Sequence, residues 1–165
     1  GYAVPGNLNI AVVDVSIFQD QFLDEVNAKL QVDFKDRQAA IQKMLDTFRA
    51  DEAKLQKDAR IMTAKKVEEQ RNSLVKQQSD LQAEAKKYEE DLLLKRQEIL
   101  KTKLDSLMQV VSALSAKNKY DFVFAKNVAL FVDPQYDITQ QVVNDYQEAA
   151  KIRDGAAAAN PNNKK

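Results

Sequence analysis

Apolar residues recur at every seventh position through the middle of the chain. One row comprises Phe34, Ile41, Phe48, Leu55 and Met62, and a second comprises Val67, Leu74, Leu81 and Tyr88. A strict seven-residue apolar repeat is typical of long helices that pack along a common stripe. No glycine occurs between Gly6 and Gly155, and glycine costs about 1 kcal/mol inside a helix. No proline, which costs about 3 kcal/mol there, occurs between Pro5 and Pro134. The pattern therefore predicts long, uninterrupted helices.

The two rows are not in phase with each other. The step from Met62 to Val67 is five positions rather than seven. Either the chain reverses near residues 58–66 and forms a helical hairpin, or a single helix passes through a local stutter. The hairpin is the favoured interpretation because it lets the two rows face each other. Each of its arms would be ~60 Å long for ~40 residues, at a rise of ~1.5 Å per residue.

The apolar stripe is thin near the predicted tip and thicker towards residue 114. Near the tip, the positions between the seven-spaced residues are mostly Gln, Lys, Glu and Asp. Further along, a leucine row comprises Leu93, Leu100, Leu107 and Leu114, with Leu104 and Val111 beside it. We therefore expect arms that are well anchored at their base and easily deformed near the tip.

Short segments with other patterns lie at both ends of the chain. Residues 10–15 are β-branched and apolar, which predicts a buried strand, followed by a helix capped by Asp14 or Ser16. Residues 120–125 and 128–132 predict two more strands, joined by a two-residue turn at Lys126 and Asn127. Asp137, followed by Gln140, then predicts the start of a last helix.

These elements predict an α+β protein that is mostly α, with a small β-containing body and one long antiparallel helical hairpin per subunit. The predicted flexible leader is residues 1–8, and the predicted body combines residues 9–34 with 117–153. The helical-hairpin arm is residues 35–116, and the disordered tail is residues 154–165. The strands are apolar on both faces. Either strands from several subunits are pooled, or helices 16–27 and 138–152 cover them within one subunit.

Candidate chemistry is sparse. The chain has no His and no Cys, which excludes His-based acid–base catalysis, Cys nucleophiles, disulfides and the usual zinc sites. Acid pairs such as Glu68-Glu69 are typical of a solvated helix face. We expect no enzyme activity, no metal and no cofactor.

Charge and hydropathy limit the classes of partner that the chain can bind. The net charge is zero, and residues 35–116 carry seventeen bases and fourteen acids, a net +3. That is too little to indicate nucleic-acid binding. No apolar run approaches the ~20 residues of a membrane span.

Some apolar residues of the arm lie where the stripe is thin, so part of this set is expected to face outward. Methionine and aromatic side chains adapt to irregular apolar partners. The residues predicted to bind a partner are Met44, Phe48, Ile61, Met62 and Tyr88. The competing interpretation is that they pack within the hairpin.

The order and spacing of several segments resemble the Skp (OmpH-like) family of bacterial periplasmic chaperones. The segment from Asn9 to Gln19 resembles the opening strand and helix of that family, and the similarity extends over residues 9–150. The first arm is matched by Phe34-Lys35 with Arg37, by Gln42-Lys43-Met44 and by Lys54-Leu55-Gln56. The closing elements are matched by Asp121 to Asn127 and by Asp137-Ile138-Thr139 with Val142-Val143.

The resemblance implies a homotrimer that holds unfolded outer-membrane proteins in a cavity between three helical hairpins, without ATP. It implies a periplasmic location after removal of a signal peptide. It favours pooling of the strands between subunits. The expected residues of the trimer body are Ile10, Val12, Val13, Phe122, Val123, Phe124, Leu130 and Val132.

Two features depart from the family pattern. Well-characterised members are strongly basic, whereas this chain is neutral, so electrostatic steering of clients should be weaker. A basic cluster that the family carries on its second arm is represented only by Lys95 and Arg96, and no lipopolysaccharide site is carried over. The alternative functions are a structural or adaptor coiled-coil stalk and, with less support, a protein that makes weak contact with membrane surfaces.

Overall fold

The computed structural model describes residues 6–159, and it describes side chains as far as residue 156. Two long helices dominate the chain, and the predicted mostly α fold class is confirmed. The elements are β1 (Ile10–Val13), α1 (Ser16–Asp58), α2 (Ala64–Asn118), β2 (Phe122–Ala125) and α3 (Thr139–Ala159), with 3-10 turns at Ala59–Ile61, Lys126–Val128 and Pro134–Tyr136.

The chain divides into two compact units. The body unit comprises residues 1–24 and 100–165, and the arm unit comprises residues 25–99. Both boundaries fall inside the long helices, as the predicted boundaries do, but at different residues. The predicted leader lies mostly outside the described residues. The predicted disorder of residues 154–165 is wrong up to Ala159, because α3 continues through Gly155 into the alanines, which are the strongest helix formers.

The sheet of the body unit is a single parallel pair. β1 lies beside β2, with Ile10 opposite Phe122 and Val13 opposite Ala125. The predicted strand at residues 128–132 is not formed, and the predicted two-residue turn is a 3-10 turn instead. A tight hairpin turn requires left-handed residues, and among the described non-glycine residues only Lys119 has a positive φ. Among the described residues, the segment after β2 meets β1 at one parallel bridge, between Asp137 and Val12, and residues 128–132 lie outside it.

Asn9 joins β1 to the end of α2. Its side-chain amide donates to the carbonyl oxygens of Asn118 and Lys119 at 2.9 and 3.1 Å. Its backbone N–H donates to Asp121 Oδ2 at 2.8 Å. These bonds occupy the orphan carbonyls at the helix end, where Lys119 takes a left-handed φ of 55°. A single polar residue therefore fixes the turn that brings β2 beside β1.

The core of the body unit forms between the sheet and three helices. Phe18, Phe22 and Tyr146 form an aromatic cluster with ring centroids 5.5–5.7 Å apart. Aliphatic residues complete the core, and these are Ala11, Val13, Leu107, Val110, Leu114, Ile138 and Val142. The predicted leucine row therefore reaches this core through Leu107 and Leu114, with Leu100 packed against it, whereas Leu93 is exposed.

The chain changes direction where the apolar rows change phase. α1 ends at Asp58, a 3-10 turn follows, and Met62 is extended with φ −95° and ψ 151°. Thr63 caps α2, since its Oγ1 accepts from the backbone N–H of Lys66 at 3.2 Å. No single helix passes through residues 58–66, so the stutter interpretation is wrong. The turn also needs no glycine, because extended Met62 and the Thr63 cap supply it.

Within the arm unit, α1 and α2 contact each other in antiparallel order. Arg37 pairs with Asp91 at 2.9 Å, and Gln77 Nε2 donates to Asp51 Oδ2 at 3.0 Å. Burial is confined to one end of the unit: Val26, Leu30, Phe34 and Ile99 are buried, whereas no residue from 35 to 98 is. The predicted thin stripe is therefore present, and its members are half-buried.

Candidate functional site

The sheet of the body unit has one covered face and one open face. Ala11 and Val13 belong to the core, and Val123 packs against it. Phe122 and Phe124 are exposed, and their rings stack at 5.6 Å. The interpretation in which helices cover the strands therefore holds for one face, and pooling of strands between subunits stays a prediction. Helices cover one face within the subunit, and the other face presents aromatic rings without such a cover.

The segment after β2, residues 126–137, is named here the apolar loop. Val128 is 71% exposed, Phe131 is 82% exposed, and Leu130 is fully exposed. Isolated exposed apolar residues are common on protein surfaces, but a contiguous apolar patch marks an interaction site. Leu130 was among the predicted body residues, whereas Val128, Phe131 and Tyr136 were not, although the apolar run at residues 128–132 was the available signal.

A groove connects the apolar loop to the sheet. It has a volume of about 320 Å³, and its lining is mostly apolar. Among the predicted body residues, Ile10, Val12, Phe124 and Val132 line it, whereas Val13 points into the core. Val128, Phe131 and Tyr136 complete the wall on the loop side. The predicted body residues therefore divide between the core, this body groove and, for Phe122 and Leu130, the exposed surface.

A polar network holds the two ends of the apolar loop. Lys126 Nζ lies 2.9 Å from Asp137 Oδ2. Asp137 Oδ1 accepts from the backbone N–H of Thr139 at 3.0 Å and from the Thr139 hydroxyl. Thr139 Oγ1 in turn accepts from the backbone N–H of Asp14 at 2.9 Å. The hydrogen bonds from Thr139 and Lys126 lower the pKa of Asp137 from its ordinary 3.8 to about 2.

The residues predicted to bind a partner on the arm unit do not form one site. Ile61 is 86% exposed, whereas Met44, Phe48, Met62 and Tyr88 are half-buried. Met44 lines a groove of about 310 Å³ with Ala40, Lys43, Thr47, Gln77 and Asp80. Met62 lines a different and more polar groove near the turn. The arm unit therefore offers several small surfaces along its length.

A charged and aromatic cluster lies where burial ends in the arm unit. The Arg37 guanidinium lies over the rings of Phe34 and Tyr88, at 5.5 and 5.7 Å from their centroids. These rings meet edge to face at 5.7 Å, and Asp91 pairs with Arg37. Tyr88, predicted to bind a partner, is therefore engaged within the arm. Sequence reasoning missed this cluster, although Phe34 with Arg37 and Tyr88 with Asp91 have the i, i+3 spacing of one helix face.

The middle of the arm unit contains a polar contact that is only partly satisfied. Gln77 donates to Asp51 and also to Ser73 Oγ at 3.3 Å. Its Oε1 is buried and has no hydrogen-bond partner among the described residues. An unpaired buried acceptor costs about 1–3 kcal/mol. Gln77 therefore joins α2 to α1 through its amide nitrogen alone.

The described residues form neither a metal-binding cluster nor a membrane-spanning helix. Within residues 6–159, no group of three or more acidic residues could hold a metal ion. The helices in the same range include none with the length and apolarity required to cross a membrane.

Comparison with known proteins places these features in a family. The family model for outer membrane protein (OmpH-like) matches residues 9–146. The Chaperone protein Skp of Yersinia enterocolitica is 32% identical over 136 residues, which cover 81% of this chain and 83% of that protein. A crystal structure from Caulobacter crescentus, described as an OmpH-like outer membrane chaperone, has a TM-score of 0.73 at 14% identity, covering 90% of this chain and 89% of the other. The chain belongs to the OmpH-like family, and it is similar in sequence to a Skp chaperone and in fold to an OmpH-like protein.

Proposed function

We propose that this protein is a trimeric, ATP-independent periplasmic chaperone that holds unfolded outer-membrane proteins between its helical arms and prevents their aggregation. Family membership supports the chaperone role, and the Yersinia relative is itself named a chaperone. The observation that carries the proposal is the open apolar surface of the body unit, formed by the sheet face, the body groove and the apolar loop.

Self-association follows from the size and position of that surface. Burying one exposed valine, leucine or phenylalanine contributes about 1.5–3 kcal/mol. Phe122, Phe124, Val128, Leu130 and Phe131 all remain exposed within one chain. Loop and sheet face are different patches, so one copy can place its loop against the sheet of the next. A contact of this kind closes into a ring when the rotation between copies allows it.

The arm unit is suited to many weak contacts with a client. Its apolar stripe is half-buried, and Val32, Ile61 and Val75 are exposed at separate places along it. Each such side chain can contribute only a few kcal/mol at most on contact with a client. Clients would therefore be retained by the sum of contacts and released without an energy source. The uneven burial lets the outer part of the arm adapt to clients of different size.

An aggregation assay tests the proposal. An outer-membrane β-barrel protein, unfolded in urea, is diluted into buffer with or without this protein, and light scattering is recorded. We expect scattering to be suppressed near one trimer per client, and solution mass measurement to give a trimer. A stable monomer would contradict the assembly. A trimer that leaves scattering unchanged would contradict the holdase role.

A matched pair of variants locates the client contacts. Ile61→Asn removes an exposed apolar side chain of the arm unit, and Leu130→Asn removes one of the body unit. We expect Ile61→Asn to weaken suppression while the trimer persists. Leu130→Asn should instead weaken the trimer.

A further inference from the structure

We propose that the ion pair between Lys126 and Asp137 positions the apolar loop for docking onto a second copy of this chain. The inference rests on the self-association in the proposed function and adds the residues that control it. The two charged groups lie 2.9 Å apart and flank the exposed residues Val128, Leu130 and Phe131. The pair thus closes a loop whose interior is the most exposed apolar segment of the body unit.

The Asp137 end of the loop is fixed to the sheet. Thr139 links the Asp137 carboxylate to the backbone of Asp14, and the backbone N–H of Ile138 donates to the Val12 carbonyl oxygen at 2.9 Å. Lys126 directly follows β2, whose last residue is Ala125. The ion pair therefore joins the exit of one strand to a residue anchored on the other.

The loop bends at Leu130, and a residue on each side of this bend has extended backbone geometry. Ala129 has φ −111° and ψ 138°, and Asp133 has φ −64° and ψ 134°. The backbone bonds inside the loop are local turns, with Ala129 N–H donating to Lys126 at 3.3 Å and Asp137 N–H to Pro134 at 3.1 Å. An extended segment with free backbone groups is a template for pairing with another chain. The sequence pattern at residues 128–132 also favours a strand.

A second copy is the occupant that this arrangement favours. The apolar loop and the body groove share Val128, Phe131 and Val132, and the groove continues onto the sheet face at Phe124. The surface thus offers an exposed apolar segment beside an apolar groove on the same chain. Each copy can supply the segment that another copy's groove accepts. Holding the segment in place before contact lowers the ordering cost of association.

Loss of the ion pair is expected to weaken association modestly in each subunit, and the three subunits of a trimer multiply the effect on the dissociation constant. Lys126 is half-exposed, with 46% of its side chain accessible, and a pair of this kind changes an equilibrium by about two-fold. A trimer contains three such pairs, so loss of Lys126 should raise the trimer dissociation constant by about ten-fold. Because that constant has the dimension of concentration squared, the midpoint concentration should rise by about three-fold.

The test is a dilution series followed by mass photometry or sedimentation equilibrium. Lys126→Met removes the charge and keeps the apolar stem, Lys126→Arg keeps the charge, and Lys151→Met removes a charge from an exposed position on α3. We expect the midpoint of dissociation to rise for Lys126→Met and to remain at the wild-type value for the other two. Far-UV circular dichroism should show equal helicity in all trimers. The effect of Lys126→Met should become smaller as salt is raised towards 1 M, where the Debye length falls to about 3 Å.

The outcomes separate the inference from the proposed function. A wild-type chain that is monomeric at every concentration overturns both. A stable wild-type trimer with identical midpoints for Lys126→Met and Lys151→Met overturns the inference alone. The same holds if Lys126→Arg dissociates as readily as Lys126→Met.

Discussion

The body unit and the arm unit use the same types of apolar residue in different ways. In the body unit, Phe18, Phe22 and Tyr146 are buried and pack against each other. In the arm unit, Phe48 is half-buried, and no residue from 35 to 98 is buried. A residue whose burial is incomplete keeps apolar surface that another molecule can cover. The contrast indicates that stability resides in the body and adaptability in the arm.

The largest expected effect comes from the same Phe→Ala substitution made separately in the body unit and in the arm unit. Phe18→Ala should lower the free energy of unfolding by about 3–5 kcal/mol, because it leaves a cavity in a closed core. Phe48→Ala should cost less than half of that, since its ring is only half-buried. Urea denaturation followed by circular dichroism measures both. Equal losses would show that the arm is packed as tightly as the body.

Removal of the Asn9 side chain tests whether the body unit depends on one polar junction. Asn9→Ala frees the carbonyl groups of Asn118 and Lys119, which then rely on water. We expect a loss of about 1–2 kcal/mol in the free energy of unfolding. Lys119→Gly is the companion variant, because it relieves a left-handed φ of 55° and should not destabilise. An unchanged unfolding curve for Asn9→Ala would show that the Asn9 side chain does not stabilise the body unit.

Arg37→Met sharpens the contrast within the arm unit itself. It removes the ion pair with Asp91 and the cation–π contacts with Phe34 and Tyr88, worth about 1 kcal/mol together at a partly exposed site. Hydrogen exchange of residues 26–36 and 88–99 should become faster. Arg49→Met changes an exposed arginine on α1 and serves as the control. Equal exchange in the two variants would contradict a clamping role for Arg37.

The smallest expected effect concerns pH and the network at Asp137. Its pKa in the folded protein is lowered to about 2, so its stabilising contribution is complete above about pH 4. That contribution should be lost as the pH falls from about 4 towards 2. Thermal unfolding of wild type and of Asp137→Asn should therefore differ most above pH 4 and converge below it. If the difference between wild type and Asp137→Asn instead grew as the pH fell, the Asp137 carboxylate would not be the stabilising form.

Sequence patterns predicted the two long helices and the change of direction between them, because helical periodicity can be read from neighbouring residues. The five-residue step between Met62 and Val67 located the change of direction, and the thin stripe anticipated the half-buried arm. Asp14 and Asp137 were identifiable as caps because their partners lie two residues away. The segment at residues 128–132 was predicted as a strand because strand propensity ignores whether a partner is present.

Other features depended on residues distant in sequence. Nothing local connects Asn9 to Asn118, or Arg37 to Asp91, which become neighbours only after the long helices are in place. Likewise, Lys126 acquires its role from Asp137 through the course of the loop between them. The predicted partner-binding residues were chosen by type alone, and type did not distinguish exposed Ile61 from engaged Tyr88.

Hydrogen exchange with and without a bound client tests the central claim most directly. An unfolded outer-membrane β-barrel protein is added to the assembled chaperone, and amide exchange is compared segment by segment. We expect slower exchange across residues 35–98 on client binding, and no change in β1, β2 or the apolar loop, which the proposed trimer would cover. New protection confined to residues 126–137, with none in the arm unit, would show that the client occupies the apolar surface of the body and would contradict the account.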